Sequence, residues 1–186
     1  MSTTQAMSAA AAGTFDLGGD LTVNRLGYGA MRITGKGIWG PPPDKPAALA
    51  TLRRAVELGV NLIDTADSYG PGTSEELIAE ALYPYPAGLI IATKGGWERP
   101  GPAQWTHNAS PDHLTRALEG SLKRLRLDRI DVYQLHVPDP ATSFDASMET
   151  LAKHREQGKI RHVALSNVAQ EYIERARKIV PIVTVQ

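Results

Sequence analysis

The stretch VNLIDTADSYGPGTSEELIAEALYPYPAGLIIATK, Val60–Lys94, decides the fold of this chain. It opens with the apolar run VNLIDT, continues into the amphipathic segment TSEELIAEAL and ends in a second apolar run, GLIIATK. A short strand, a helix and another short strand form a βαβ unit, whose two strands are parallel neighbours. The stretch therefore predicts a parallel sheet covered by helices.

The same alternation extends in both directions along the chain. Four further helices are predicted, in DKPAALATLRRAVELG, from Ser110-Pro111 onward, over Phe144–Gln157 and over Gln170–Ile179. Four further strands are predicted in LGYGAM, IDVYQLH, IRHVALSN and PIVTVQ, which makes six strands and five helices, and TFDLGGDLTVNRLG reads as a hairpin before them. Two architectures fit this order: an open doubly wound sheet, or a (β/α)8 barrel that is incomplete here.

Composition excludes several classes of function. Lys+Arg and Asp+Glu balance at 20 each in 186 residues, so nothing points to nucleic acid or a charged membrane surface as a partner. The chain has no cysteine, which excludes disulfides, thiolate metal sites and a cysteine nucleophile. No apolar run approaches the roughly 20 residues of a membrane span. We expect a cytoplasmic protein with a disordered tail over residues 1–13 and one folded domain over 14–186.

Polar side chains follow four successive predicted strands at their carboxyl ends, where α/β proteins place their functional sites. They are Asp64 with Tyr69 in the next loop, then Lys94, then His136, and finally Ser166 with Asn167. Taken singly, each has a structural explanation, such as a helix cap for Asp64 or a hydrogen-bonded core position for His136. The functional interpretation depends on their convergence at one rim of the sheet.

This set of side chains suits carbonyl reduction. A tyrosine has an ordinary pKa of about 10, and an ammonium beside Tyr69 would lower it. Asp64 would hold the charge of Lys94 in place, and a neutral His136 could orient a carbonyl oxygen. Since no side chain donates hydride, a cofactor is required. A hydroxyl and an amide at Ser166 and Asn167 suit the carboxamide of a nicotinamide ring.

The chain resembles the aldo-keto reductases. The resemblance runs from Phe15 to the last residue and is carried by RLGYGAMRI, GVNLIDTADSYGPGTSEELIAEAL, IIATKGG, LKRLRLDRIDVYQLHVPD, GKIRHVALSN and VTVQ. The motif GPPPD at Gly40–Asp44 places it near a bacterial subgroup similar to pyridoxal reductases.

The resemblance implies a TIM barrel whose bottom is closed by the N-terminal hairpin, and NADPH-dependent reduction of a small-molecule aldehyde or ketone. It assigns Tyr69 as general acid, Asp64 and Lys94 as its tuning pair and His136 as the carbonyl-orienting residue. The cofactor-binding residues it implies are Met31, Asp64, Ser166, Asn167 and Gln186.

The sequence ends at Gln186, whereas a complete barrel of this type needs about 250 residues. We therefore expect a fragment of a longer reductase, truncated after the sixth strand, which self-associates through open sheet edges.

Three alternatives remain open. The first is a Schiff-base lyase with Lys94 as nucleophile. The second is a cofactor-binding regulatory protein on the same fold, like the β subunits of potassium channels, and the third is an inactive remnant.

The glycines of GKGIWG, Gly35–Gly40, match a dinucleotide-binding pattern. Such a loop must open directly into a helix, whereas Pro41-Pro42-Pro43 follows here and Asp44 would repel a phosphate. We interpret this match as accidental. The loop, with Trp39, is expected to border the substrate mouth, where Trp97 and Trp105 could also lie.

Overall fold

The computed structural model describes residues 8–186, and within them the predicted alternation of strands and helices is present. The ten strands are β1 Thr14–Leu17, β2 Leu21–Asn24, β3 Tyr28–Gly29, β4 Leu62–Asp64, β5 Ile90–Gly95, β6 Trp97–Glu98, β7 Thr106–His107, β8 Ile130–Leu135, β9 Ile160–Leu165 and β10 Ile182–Val185. The five α-helices are α1 Lys45–Glu57, α2 Thr73–Leu82, α3 Pro111–Leu125, α4 Phe144–Glu156 and α5 Gln170–Ala176.

Six strands form one parallel sheet in the order β3-β4-β5-β8-β9-β10. Apart from the small β6-β7 hairpin, the order in space is the order along the chain. An open doubly wound sheet would reverse its strand order at a switch point. The sequential order therefore decides between the two predicted architectures: six strands and five helices form the first part of a (β/α)8 barrel.

Side-chain caps begin several of the helices. Asp44 accepts a hydrogen bond from the Ala47 amide at the start of α1, and Ser110 does the same for His113 at the start of α3. On α3, residues at helical spacing are buried against the sheet: Leu114, Leu118, Leu122 and Leu125. The large core lies between the helices and the outer face of the sheet.

The opposite, inner face of the sheet carries a smaller core, which the β1-β2 hairpin covers. Leu17, Leu21 and Val23 of the hairpin pack against strand side chains that include Ile90 and Val132. At the hairpin turn, Asp20 accepts hydrogen bonds from the Arg161 guanidinium at 2.8 Å and 3.0 Å, and its Oδ1 lies 2.6 Å from Nε2 of His162. The hairpin thus closes the amino ends of the strands, as the resemblance implies.

Residues 8–13, part of the predicted disordered tail, contain a short regular element in the structure, whereas residues 1–7 lie outside the described part of the chain. Ala9–Ala12 form a 3₁₀ turn capped by Ser8. Ala9 is buried, and its amide donates to the Leu58 carbonyl at 2.7 Å. Leu58 follows the last residue of α1, so this contact joins segments that are distant in the sequence, and composition does not reveal it.

Two further differences concern short elements. The β6-β7 hairpin was not predicted, and α5 ends at Ala176 rather than near Ile179. Within residues 8–186, no helix is both long enough and apolar enough to cross a bilayer.

Candidate active site

Lys94 lies at the centre of the rim formed by the carboxyl ends of the strands. Alternation along β5 turns Ile90, Ala92 and Lys94 to the inner face, and the Lys94 side chain is fully buried. Its ammonium donates to Oδ1 and Oδ2 of Asp64 at 2.8 Å and 2.6 Å, and to the Thr65 carbonyl at 2.9 Å. Burial lowers the pKa of Lys94, and the carboxylate of Asp64 opposes that shift.

Tyr69 lies above this ion pair, on the loop between β4 and α2. The Lys94 Nζ is 5.3 Å from the centre of the tyrosine ring. The side chain is buried, and its pKa is raised well above the ordinary value by that burial and by the nearby carboxyls of Asp64 and Asp67. The expected lowering of the Tyr69 pKa by Lys94 is not the net effect in this structure, because burial of the ring, followed by the carboxyls of Asp64 and Asp67, outweighs the ammonium.

His136 completes the cluster from the end of β8. Its ring stands edge-on to Tyr69 with 5.7 Å between ring centres, and its Nδ1 lies 3.5 Å from the Ser68 hydroxyl. Burial, together with the positive charge of Lys94, lowers the pKa of His136 to about 3. The imidazole is therefore neutral at physiological pH, as the sequence predicts.

The predicted carboxamide-binding residues meet at the ends of β9 and β10. The Asn167 side-chain amide donates to the His136 carbonyl at 3.1 Å and to the Ser166 hydroxyl at 3.0 Å. Its backbone amide donates to the Gln186 carbonyl at 3.0 Å, which fixes Asn167 in a left-handed conformation with φ of 55°. Met31 lies farther along the rim, in the 3₁₀ turn Ala30–Ile33 after β3.

Gln134 belongs to the site, although sequence reasoning did not single it out. Its side-chain amide donates to Oδ1 of Asp64 at 2.9 Å, while its buried Oε1 has no hydrogen-bond partner among the described residues. The period-two alternation of β8 places Gln134 on the same face as His136. The two-residue spacing between Gln134 and His136 could therefore have identified Gln134 from the sequence.

The mouth of the site is lined by aromatic rings. Trp97 stands edge-on to His136 with 6.3 Å between ring centres and meets Trp105 at 5.8 Å. Trp39, in the Gly35–Gly40 loop, reaches the same region through the Arg99 guanidinium, which lies 5.8 Å from its ring centre. The structure thus brings together the three tryptophans that were expected at the substrate mouth.

Residues 25–186 match the sequence profile of the aldo/keto reductase family. This chain belongs to that family. The aldo/keto reductase barrel is also the fold of its structural neighbours: a glycerol dehydrogenase from Gluconobacter oxydans superposes with a TM-score of 0.86 at 35% identity, over 95% of this chain and 55% of its own.

Curated aldo/keto reductase relatives bear the names of oxidoreductases. An oxidoreductase of Schizosaccharomyces pombe is 49% identical over 97% of this chain and 58% of its own length. Pyridoxine 4-dehydrogenase of Escherichia coli is 46% identical over 93% of this chain and 62% of its own length, in line with the predicted subgroup. The chain thus spans about three fifths of the length of these two relatives.

Proposed function

We propose that this protein reduces an aldehyde or ketone to an alcohol, with NADPH as hydride donor and Tyr69 as proton donor. The observation that carries the proposal is the convergence of Tyr69 with the buried Lys94–Asp64 pair, 5.3 Å away, and with the neutral His136 at 5.7 Å. Reduction creates an alkoxide, which must receive a proton as it forms. The names of two similar proteins, pyridoxine 4-dehydrogenase and glycerol dehydrogenase, are in keeping with this chemistry.

Tyr69 is suited to give a proton rather than to take one. Its raised pKa keeps the hydroxyl protonated across the physiological range. An alkoxide is a stronger base than a tyrosinate, so the transfer runs toward product once negative charge develops on the substrate oxygen. The ammonium of Lys94 then stabilises the tyrosinate that remains.

His136 is suited to hold the carbonyl oxygen. When the Ser68 hydroxyl donates to Nδ1, the single proton of the neutral imidazole is carried by Nε2. This N–H can donate to a carbonyl oxygen that is placed between His136 and Tyr69. Its low pKa prevents it from competing with Tyr69 as the acid.

The rim fits the carboxamide of a nicotinamide ring. The Ser166 hydroxyl accepts from Asn167 and keeps its own proton for donation, and Oδ1 of Asn167 can accept from an amide. Gln186, which is exposed at the adjacent strand end, offers both a donor and an acceptor. When bound, the cofactor supplies the hydride; Asp64 and Met31 lie along the same rim. NADPH rather than NADH is proposed from the family resemblance.

The hydrogen bonds of Lys94 speak against a Schiff-base lyase. The ammonium donates to three oxygens, two of them from Asp64, and is fully buried. Attack on a carbonyl would require Lys94 to lose its proton and leave the negative charge of Asp64 without its ammonium partner. We therefore keep Lys94 as an electrostatic residue.

For partners, we propose a small carbonyl compound, with the tryptophan-lined mouth favouring a flat, ring-shaped one. Among the described residues, β3 and β10 form the two ends of the sheet and each pairs on one side only. Unpaired strand edges associate, so we also propose that the chain in hand forms dimers or larger species. Sedimentation velocity of the chain would test this, and a single monomeric species would refute it.

The central test is Tyr69→Phe. We measure NADPH oxidation with a panel of aldehydes, including pyridoxal and glyceraldehyde, and cofactor affinity by fluorescence titration. Tyr69→Phe should lower kcat by about 10²–10⁴-fold while the cofactor Kd changes little. Unchanged turnover would refute the acid role, and cofactor binding by a wild-type protein without turnover would favour the regulatory alternative.

A further inference from the structure

Arg99 joins three separate loops around the candidate active site. Its Nη1 donates to the Ser68 carbonyl at 2.8 Å, its Nη2 to the Gly37 carbonyl at 2.9 Å and its Nε to the Gln104 carbonyl at 2.8 Å. Ser68 lies in the loop after β4, Gly37 in the loop before α1 and Gln104 in the loop between β6 and β7. One side chain therefore contacts all three.

The same guanidinium organises the aromatic rings at the mouth. It stacks over Trp105 at 3.7 Å from the ring centre and lies 5.8 Å from that of Trp39. Trp105 contacts Trp97, and Trp97 contacts His136. A continuous series of contacts thus runs from Arg99 through two indole rings to a proposed catalytic residue.

A second route runs through Ser68. The Ser68 carbonyl belongs to the peptide bond that leads directly into Tyr69, and the Ser68 hydroxyl lies 3.5 Å from Nδ1 of His136. Arg99 is thereby connected to both residues that would contact the substrate carbonyl. It touches neither of them, so its effect must pass through the backbone and the rings.

We infer that Arg99 is a positioning residue: it sets the placement of Tyr69 and His136 and holds the aromatic mouth in one arrangement. The inference rests on the proposed carbonyl reduction and adds to it the residue that aligns the proton donor and the carbonyl-orienting group. Only arginine offers several N–H donors in a fixed plane that also stacks on an indole face. A lysine here keeps the charge but cannot bind three carbonyls in that geometry and stack as well.

The loops keep other bonds when Arg99 is replaced, which makes the test practicable. The Gly40 amide donates to the Gly70 carbonyl at 2.9 Å, and the Ala103 amide donates to the Gly37 carbonyl at 3.0 Å. We therefore expect Arg99→Ala and Arg99→Lys to fold, with their loops less well ordered.

The first measurement is tryptophan fluorescence, which requires no turnover. The chain has three tryptophans, Trp39, Trp97 and Trp105, and all three lie in this assembly. Acrylamide quenching should rise about twofold in both Arg99 variants as the rings become accessible. Arg175→Ala is the matched control, because Arg175 also stacks on aromatic rings, Phe144 and Tyr172, but far along the chain from these loops.

The second measurement separates kcat, KM and cofactor affinity. Arg99→Ala should lower kcat by about 10–100-fold, because small misplacements of catalytic groups are costly, while the cofactor Kd stays near the wild-type value. Arg99→Lys should resemble Arg99→Ala, and Arg175→Ala should resemble wild type. A merely structural loss would instead lower the folded fraction and leave kcat per folded molecule unchanged.

Three results would overturn the inference: unchanged quenching in Arg99→Ala, unchanged kcat despite increased quenching, or full kcat in Arg99→Lys, which would reduce the role of Arg99 to its charge. A wild-type protein without carbonyl reduction would refute the proposed function instead. Quenching would still decide whether Arg99 orders the three loops.

Discussion

The two ends of the barrel both carry ionic contacts, but they use them in opposite ways. At the carboxyl rim, Lys94 is fully buried beside Asp64, and burial drives the pKa of His136 to about 3. At the amino end, Asp20 stands in solvent, and hydrogen bonds from Arg161 and His162 lower its pKa. At the rim, burial disfavours the charged forms of the ionisable groups. At the hairpin end, hydrogen bonds favour the ionised form of Asp20.

The difference indicates that the two ends of the barrel serve different purposes. A buried ion pair contributes little net stability, because desolvation offsets its attraction. The hairpin instead combines an apolar cluster around Leu21 and Val23 with a solvent-exposed ion pair between Asp20 and Arg161. We therefore expect the rim to govern turnover and the hairpin to govern stability.

The largest effect should follow from Lys94→Met combined with Asp64→Asn. Carbonyl reduction should fall by about 10³-fold or more, because Tyr69 loses the charge that stabilises its conjugate base. The free energy of unfolding should stay within about 1 kcal/mol of wild type or rise, since both charges leave together. Urea denaturation and steady-state kinetics check the two quantities. A strongly destabilised double variant would contradict the view that the rim governs turnover and contributes little to stability.

The next largest effect should come from the hairpin core. Leu21→Ala removes a buried side chain that packs under the sheet and should lower the free energy of unfolding by about 2–4 kcal/mol. The kcat per folded molecule should not change, because Leu21 lies at the opposite end from Tyr69. Leu26→Ala, an exposed leucine nearby, is the control and should have little effect. A parallel loss of kcat would show that the two ends are coupled.

The pH dependence of stability tests the effect of burial on Asp67, another carboxyl of the rim. Burial and the nearby Glu75 raise the pKa of Asp67 to about 8. The folded protein therefore binds one more proton than the unfolded chain between about pH 4 and pH 8. Stability should fall as the pH rises through that window.

Asp67→Asn should remove this pH dependence and raise the free energy of unfolding by several kcal/mol at pH 8, with little difference below pH 4. Thermal melts at several pH values provide the measurement. If the variant is equally destabilised at every pH, Asp67 acts through hydrogen bonding rather than through its charge.

The smallest effect, with the opposite sign, is expected at the hairpin end. The pKa of Asp20 is lowered in the folded state. The stabilisation of the folded protein by the Asp20 carboxylate is therefore present above the unfolded-state pKa and is lost as the pH falls through the folded-state pKa. Asp20→Asn should lower the melting temperature slightly at pH 7 and not at about pH 2–3. Added salt should reduce the difference, because the pair is exposed. A pH-independent effect would contradict the ionic explanation.

Much of the fold could be predicted because its elements are locally encoded. The leucines of α3 recur at helical spacing, and four successive sheet strands are apolar runs followed by polar side chains. The β6-β7 hairpin has no such sequence pattern. Each of its strands has only two residues, and Thr106 and His107 of β7 are exposed. Its position depends on Arg99 and on rings from other loops, which no local pattern encodes.

The site shows the same division between local and distant information. Asp64, Lys94 and His136 could be placed from strand ends alone, because parallel strands bring their carboxyl ends together. The direction of the Tyr69 pKa shift could not be predicted, since it depends first on the burial of the ring and then on the carboxyls of Asp64 and Asp67. The alternation of side chains along β8 was sufficient to place Gln134 beside His136. The role of Arg99 depends on contacts with other loops that lie far away in the sequence.

The strand order has a consequence for synthesis on the ribosome. Because each sheet strand pairs with the one made just before it, the sheet can grow unit by unit as the chain emerges. The β1-β2 hairpin is made before the six sheet strands, yet the contacts of Asp20 with Arg161 and His162 span 141 and 142 residues. This early element is therefore among the last to dock, and until β9 appears the inner face of the growing sheet lacks part of the surface on which the hairpin rests.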